Sequence, residues 1–288
     1  MGVNIQTIKD IRLYLAKELK GNLQDHEISA LSNIIIKTVT GIKRLQNLAL
    51  PEHHVTQIHA RRIINICKEL KSGKPIQYIL GETSFYNCVI KLNEETLIPR
   101  PETEELVDLI IKKNRGFTGN ILDVGTGSGC IAIALAVNLP GSSVTGTDIS
   151  EGAIKIAEEN SRLNNVSVSF LKADVFSSDH LTVAETDIIV SNPPYVRDLE
   201  KQFMNSNVLD FEPHTALFVP DSDPLVFYRA ILEQAVKILV PKGKIYFEIN
   251  EAFGLLMVDL LEFYKYSDIS IVKDINGKAR FIKGIKNV

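Results

Sequence analysis

Four consecutive residues, Asn192-Pro193-Pro194-Tyr195, follow the run Asp187-Ile-Ile-Val-Ser191 and carry the first chemical signal in the chain. Ile188, Ile189 and Val190 are stiff at χ1 and suit a strand covered on both faces. Two prolines then end it. Neither has an N–H, both have a locked φ, and each holds the residue before it extended. The turn therefore fixes the Asn192 side chain and the Pro193 carbonyl at the carboxyl end of a strand, where open α/β sheets place their ligands. Two fixed acceptors suit a planar –NH₂: each takes one N–H and together they aim the nitrogen. Tyr195 supplies an apolar wall with a polar tip. On these four residues alone a rigid loop opener is an equal reading, because Pro-rich turns after strands are common punctuation.

A second segment, Asp123-Val-Gly-Thr-Gly-Ser-Gly129, lies between a strand pattern and a helix pattern. Gly125, Gly127 and Gly129 remove side chains, so a ligand can lie against the backbone at this first strand-to-helix turn. A dinucleotide fingerprint places its third glycine one position later, where this chain has Cys130, which weakens a pyrophosphate reading. Asp123 is placed to anchor the loop. Asp148 ends the second strand and Asp174 the third, giving one carboxylate suited to ribose hydroxyls and one to an adenine amino group. Singly, a strand-end Asp is more often a turn former or N-cap. Combined with the glycine loop, the two look like the class I S-adenosylmethionine-dependent methyltransferase pattern. Asn192 then falls beside the transferable methyl. Acceptor dipoles there bind the charge that grows on nitrogen more strongly in the transition state than in the ground state.

The segments LIPRPETEEL, ILDVGTGSGCIAIALA, SNPPY, EPHTAL, YRAIL and DINGKARF, in this order, resemble the HemK/PrmC-type peptide chain release factor N5-glutamine methyltransferases over essentially the whole chain. NPPY alone is equally similar to N6-adenine DNA methyltransferases and some guanine-N2 RNA methyltransferases, which also act on planar amino groups. The resemblance implies methyl transfer from S-adenosylmethionine, leaving S-adenosylhomocysteine, to the glutamine amide nitrogen of the Gly-Gly-Gln loop in class 1 peptide chain release factors, with no metal. It implies cofactor contacts from Gly125, Thr126, Gly127, Ser128, Gly129, Asp148, Asp174, Val175 and Asn192. Catalytic and substrate contacts are implied for Asn192, Pro193, Pro194 and Tyr195. Phe85 matches an aromatic position near the family's active site, and Pro99 to Glu102 are expected to line the same cleft. The chain departs from the family pattern at Asn250 and Phe253, where Gly and Gln are usual, and at Pro224, where glycine is common.

The elements that must position these residues follow from periodicity. Residues 1–75 carry apolar positions at helical spacing, such as Ile8, Ile11, Leu15 and Leu19, and read as a small helical bundle. The resemblance makes this bundle the part that recognises the release factor; a folding scaffold is the plainer role. Residues 76–98 read as a linker and β-hairpin, with Ser84 to Leu92 as one strand and Glu94 to Leu97 as a turn and partner strand. From 99 to 288 strand and helix alternate, which predicts a doubly wound α/β domain. The short INGKA turn allows only an antiparallel pairing of the last two strands. The fold class expected is α/β: a Rossmann-like class I methyltransferase sheet with an antiparallel C-terminal hairpin, preceded by the bundle.

With 45% hydrophobic and 23% charged residues among 288, the composition is that of a globular protein, and a formal net charge of −3 offers no electrostatic argument for a polyanionic partner. Sequence-specific nucleic-acid binding is therefore not expected, and a monomer is. The N-terminal stretch has no signal-type apolar run and no segment approaches a membrane span, so a cytoplasmic location is expected. Cys67, Cys88 and Cys130 are too few and scattered for a disulfide framework and read as reduced core residues. His53, His54 and His59 lack the spacing that puts ligands on one helix face. Two rivals stay open: a nucleic-acid amino methyltransferase, and a non-catalytic S-adenosylmethionine-binding protein.

Overall fold

In the computed structural model, Thr7 opens the first helix by a reciprocal cap: its hydroxyl accepts the Asp10 N–H at 3.2 Å while the Asp10 carboxylate accepts the Thr7 N–H at 2.9 Å. Such a cap contributes about 1 kcal/mol. The helix it starts, α1 (Ile8–Leu19), points Ile8, Ile11, Leu15 and Leu19 to one buried face. α2 (Asp25–Thr40) adds Ile28, Ile35 and Ile36, and α4 (Gln57–Lys71) adds Ala60, Ile63, Ile66 and Cys67, all in one apolar cluster. The short α3 (Arg44–Ala49) joins them, and α5 (Ile76–Leu80) ends at Gly81. The structure describes residues 5–177, 183 and 185–287. It separates into two compact units, one running up to Gly81 and including Ser206–Phe211, the other formed by Glu82–Asn205 and the chain from Glu212 onward.

The second unit starts with a hairpin, and here the sequence reading is corrected. The strands are β1 (Glu82–Phe85) and β2 (Cys88–Lys91), so the expected strand Ser84 to Leu92 is broken and Glu94 to Leu97 forms no strand. Tyr86 and Asn87 make a two-residue turn with φ of 43° and 65°. Both values are left-handed, as a tight hairpin turn matched to strand twist requires, but Tyr-Asn lacks the glycine that announces such a turn in sequence.

The remaining elements alternate as expected, apart from a short strand, helix and strand over residues 196–219 that the periodicity did not announce. They are α6 (Pro101–Lys113), β3 (Asn120–Val124), α7 (Cys130–Asn138), β4 (Ser143–Asp148), α8 (Glu151–Leu163), β5 (Val168–Lys172), β6 (Thr186–Ser191), β7 (Val196–Arg197), α9 (Ser206–Phe211), β8 (Phe218–Val219), α10 (Val226–Ile238), β9 (Leu239–Glu248), α11 (Gly254–Phe263), β10 (Tyr266–Lys273) and β11 (Ala279–Lys286). Among the described residues the main sheet runs β10-β11-β9-β6-β3-β4-β5. Its β5, β4, β3, β6 and β9 are parallel, while β10 and β11 pair antiparallel at the edge beside β9. On one face Leu122, Ile189, Ile245 and Phe247 pack with Tyr228 and Leu232 of α10 and Met257 and Leu261 of α11. On the other, Asp123 faces α7, whose Ala132 N–H it accepts at 3.2 Å. Fully burying a side chain such as Phe247 stabilises by roughly 1.5–3 kcal/mol, and this central packing holds the strand ends in place. No helix among the described residues is long and apolar enough to cross a membrane.

Candidate active site at the carboxyl ends of the parallel strands

The register of the sheet brings the separated motifs to one level. Thr147 pairs with Val124, Val124 with Ser191, and Ser191 with Phe247. One step further along those strands come Asp148, Gly125, Asn192 and Glu248. Neighbouring strands lie about 4.8 Å apart, so these four form a row across the carboxyl edge. Ser191 fastens it, its buried hydroxyl donating to the Val124 carbonyl at 2.6 Å.

The glycine loop is held from below. Gly125 and Thr126 each donate their N–H to the Thr147 carbonyl at 2.8 Å. The Thr126 hydroxyl donates to Asp123 Oδ2 at 2.6 Å, so Asp123 anchors the loop as its position suggested. Asp148 accepts the Gly127 N–H at 2.8 Å through one oxygen and the Ser150 N–H at 2.9 Å through the other. The glycines serve different needs. At Gly129, φ is 79° and an added Cβ would lie 3.0–3.1 Å from Ala157, Ile133 and Phe170, so close packing excludes a side chain. Gly125 and Gly127 also have positive φ, yet nothing lies within 4 Å of a Cβ built there. The loop has an open floor.

Three acids, Asp123, Asp148 and Asp174, stand around that floor. Asp123 is fully buried, and its Oδ1 has no hydrogen-bond partner among the described residues. Burial pushes its carboxyl up to about 7, partly opposed by the bonds from Thr126 and Ala132. Burial also raises Asp148, against the backbone N–H groups of Ser150, Gly127 and Ile149. β5 ends at Lys172, so Asp174 stands on the turn beyond the strand rather than at its end. There it is exposed and accepts the Phe176 N–H at 2.9 Å. Its neighbour Val175 is half-buried and packs against the central cluster. None of the three acids forms an ion pair among the described residues. S-adenosylmethionine fits these residues: the backbone is open at Gly125 and Gly127, and the Asp148 oxygens keep lone pairs for a ribose diol. Cys130, buried behind the loop, has its thiol pushed up to about 12 by burial and by Asp123, which makes it inert. Among the described residues no cluster of His, Cys, Asp or Glu could hold a metal ion.

At the Asn192 turn, Pro193 is buried while Asn192, Pro194 and Tyr195 are half-buried. Asn192 Nδ2 donates to Thr103 Oγ1 at 3.1 Å. The Thr103 hydroxyl donates to Glu248 Oε2 at 2.7 Å, and the Tyr195 hydroxyl donates to Glu248 Oε1 at 2.9 Å. Glu248 is 1% exposed; burial raises its pKa, opposed by those two bonds and by Arg280. Burial and the adjacent Glu248 in turn raise the pKa of Tyr195. Among the described residues no hydrogen bond ends on Asn192 Oδ1 or on the Pro193 carbonyl. Sequence reasoning missed Thr103 and Glu248. The available signal was the charge of Glu248 inside the apolar run Ile245–Ile249.

The family departures at Asn250 and Phe253 have structural roles here. Asn250 Nδ2 donates to the Tyr195 carbonyl at 3.3 Å, and Phe253 lies under the Arg197 guanidinium at 5.3 Å. Both support the chain just after the Asn192 turn. Glu212, from the EPHTAL segment, is buried and accepts Arg100 at 2.6 Å and the Ile98 N–H at 3.2 Å, which fixes the segment leading into α6. Phe85 departs from expectation. It sits at the hairpin turn, 1% exposed, with almost no surface to offer a substrate; its ring is core.

Comparison with known proteins bears on the family and the fold. Residues 11–81 match the PrmC N-terminal domain family and residues 102–210 the methyltransferase small domain family. Among solved structures, a methyltransferase from Pyrococcus furiosus shares the fold at TM-score 0.52 and 18% identity, covering 81% of this chain and 100% of that one. The catalytic domain of hMettl16, in complex with MAT2A 3'UTR hairpin 6, does so at TM-score 0.54 and 16% identity, covering 83% of this chain and 85% of that one. The release factor glutamine methyltransferase of Flavobacterium psychrophilum is 45% identical over 280 residues, 96% of this chain and 98% of its own length. That of Bacteroides thetaiotaomicron is 44% identical over 272 residues, 94% and 98% of the two chains. With such identity along nearly its whole length, on top of a methyltransferase sheet and an Asn-Pro-Pro-Tyr turn beside the glycine loop, the chain belongs to the release factor glutamine methyltransferases.

Proposed function

We propose that this protein transfers a methyl group from S-adenosylmethionine to the side-chain amide nitrogen of the glutamine in the Gly-Gly-Gln loop of class 1 peptide chain release factors, releasing S-adenosylhomocysteine. The observation that carries this reading is that two acceptors which no described residue uses, Asn192 Oδ1 and the Pro193 carbonyl, lie one strand away from the open glycine floor. The cofactor, when bound, supplies an electrophilic methyl on a sulfonium. Gly125 to Gly129 would let it approach the backbone, Asp148 would take its ribose hydroxyls, and Asp174 with Val175 would border its base.

An amide nitrogen conjugated to its carbonyl is a poor nucleophile, and its proton becomes acidic only as the N–C bond forms. Positioning therefore matters more than a base. Asn192 Oδ1 and the Pro193 carbonyl each accept one N–H of the substrate –NH₂ and hold the nitrogen in line. Their dipoles bind the charge growing on nitrogen, and one N–H proton leaves to solvent after bond formation. Pro194 stiffens the turn. Tyr195, tied to Glu248 at 2.9 Å, walls the pocket.

The helical unit is the surface assigned to release factor recognition, and the protein acts as a monomer in the cytoplasm without sequence-specific nucleic-acid binding. A formal net charge of −3 supports a protein acceptor over a polyanion. The test is labelled methyl transfer to a purified release factor, beside the same factor with its Gly-Gly-Gln glutamine replaced by alanine, and beside DNA and RNA. Label on the wild-type factor alone is expected. Label on nucleic acid would move the acceptor to a base amino group.

A further inference from the structure

We infer that Thr103 and Glu248 are positioning residues that decide which end of the Asn192 carboxamide faces the substrate. The inference rests on the function proposed above. A carboxamide has two ends of nearly equal size, an acceptor oxygen and a donor –NH₂, and only the oxygen end can receive a substrate N–H. Something must tell the two ends apart.

The structure contains a polarity chain that does so. An ionised carboxylate only accepts. Both oxygens of Glu248 are occupied, Oε2 by the Thr103 hydroxyl at 2.7 Å and Oε1 by the Tyr195 hydroxyl at 2.9 Å. With its one proton committed to Glu248, Thr103 Oγ1 can only accept from its other neighbour. That neighbour, at 3.1 Å, must present its donor end, so Asn192 turns Nδ2 inward and leaves Oδ1 for the substrate. The same carboxylate aims both polar groups of the turn, Asn192 and Tyr195. Three elements meet in the relay: β9 supplies Glu248, α6 supplies Thr103 in its first turn, and the turn after β6 supplies Asn192.

Glu248 and Thr103 are 1% and 3% exposed, which keeps water from competing for either bond. Among the charged and titratable groups that act on Glu248, the Tyr195 hydroxyl and Arg280 of β11 favour its ionised form and Glu102 of α6 opposes it. It also acts on Tyr228 of α10 and Cys130 of α7. A further brace comes from Tyr228, whose hydroxyl donates to the Glu248 backbone carbonyl at 2.9 Å.

Thr103→Val keeps the shape and removes the hydroxyl, so the carboxamide loses its reason to prefer one orientation. The test is single-turnover methyl transfer from S-adenosylmethionine to a release factor, with cofactor affinity by calorimetry and melting temperature on the same samples. Thr103→Val is expected to slow transfer roughly tenfold or more, while cofactor affinity stays within about twofold of wild type. Thr103→Ser, which restores the hydroxyl, is expected to recover most of the rate. Transfer by Thr103→Val at the wild-type rate would overturn the inference. So would parallel losses of rate, cofactor affinity and melting temperature that Ser does not repair, because those mark a packing role. Wild-type protein that transfers no methyl would overturn the proposed function itself, and is read on its own control.

Discussion

Asp148 accepts the Gly127 N–H at 2.8 Å, so the acid at the end of β4 holds the loop that leaves the neighbouring β3. Its second oxygen fastens the start of α8 through Ser150. The residue assigned to the cofactor ribose is therefore also a brace for the glycine floor. Asp148→Ala removes both, and a hydrogen bond to a charged group is worth about 1.5–3 kcal/mol. S-adenosylmethionine affinity is expected to fall roughly ten- to a hundredfold in isothermal titration calorimetry. Affinity within twofold of wild type would contradict both roles.

The glycines separate by function. Gly129→Ala pushes a Cβ to 3.0–3.1 Å from three side chains at a φ of 79°, whereas Gly125→Ala meets nothing within 4 Å. Gly129→Ala is expected to destabilise by roughly 1–3 kcal/mol, visible as a lower denaturation midpoint. Gly125→Ala carries backbone strain of about 1 kcal/mol but places a methyl on the open floor, so its larger effect is expected on cofactor affinity. The reverse ranking of the two variants would show that the loop's free space is not the cofactor's.

Asp123 sets a pH dependence that can be isolated. Its carboxyl rises from 3.8 to about 7 on folding, so the folded state holds the proton more tightly than the unfolded chain. The stabilisation is fully present below the unfolded value and is lost as pH rises through about 7. Asp123→Asn carries no such proton. Its melting temperature relative to wild type is expected to rise as pH goes from about 4 to about 8, by roughly 5 °C or more. Equal pH slopes for the two proteins would mean that folding does not raise the Asp123 pKa.

How much of this was legible in the sequence depended on how local each signal was. Glycine and proline act on their own backbone, so the loop at Gly125–Gly129 and the turn at Asn192–Tyr195 could be read without any partner. The alternation of strand and helix placed them at the same edge of a sheet. The turn at Tyr86-Asn87 escaped because its φ values of 43° and 65° are adopted without glycine. Phe85 was linked to the active site by resemblance, whereas its burial follows from hairpin packing that no local pattern encodes. The bond from Thr103 to Glu248 joins positions 145 apart, and only the register of β6 with β9 brings the second of them beside Asn192. A buried glutamate in an apolar strand was the one visible hint, and it named no partner.

The most direct test of the account is the Asn192→Ala protein in single-turnover methyl transfer to a release factor, with S-adenosylmethionine affinity measured in parallel. The turn is assigned to aiming the acceptor nitrogen. Affinity is therefore expected to stay within a few-fold of wild type, while the transfer rate falls roughly a hundredfold or more, as it does when one preorganised polar contact to a transition state is removed. If cofactor binding collapsed while the residual bound enzyme transferred methyl at the wild-type rate, Asn192 would be a cofactor ligand and not the residue that positions the glutamine amide.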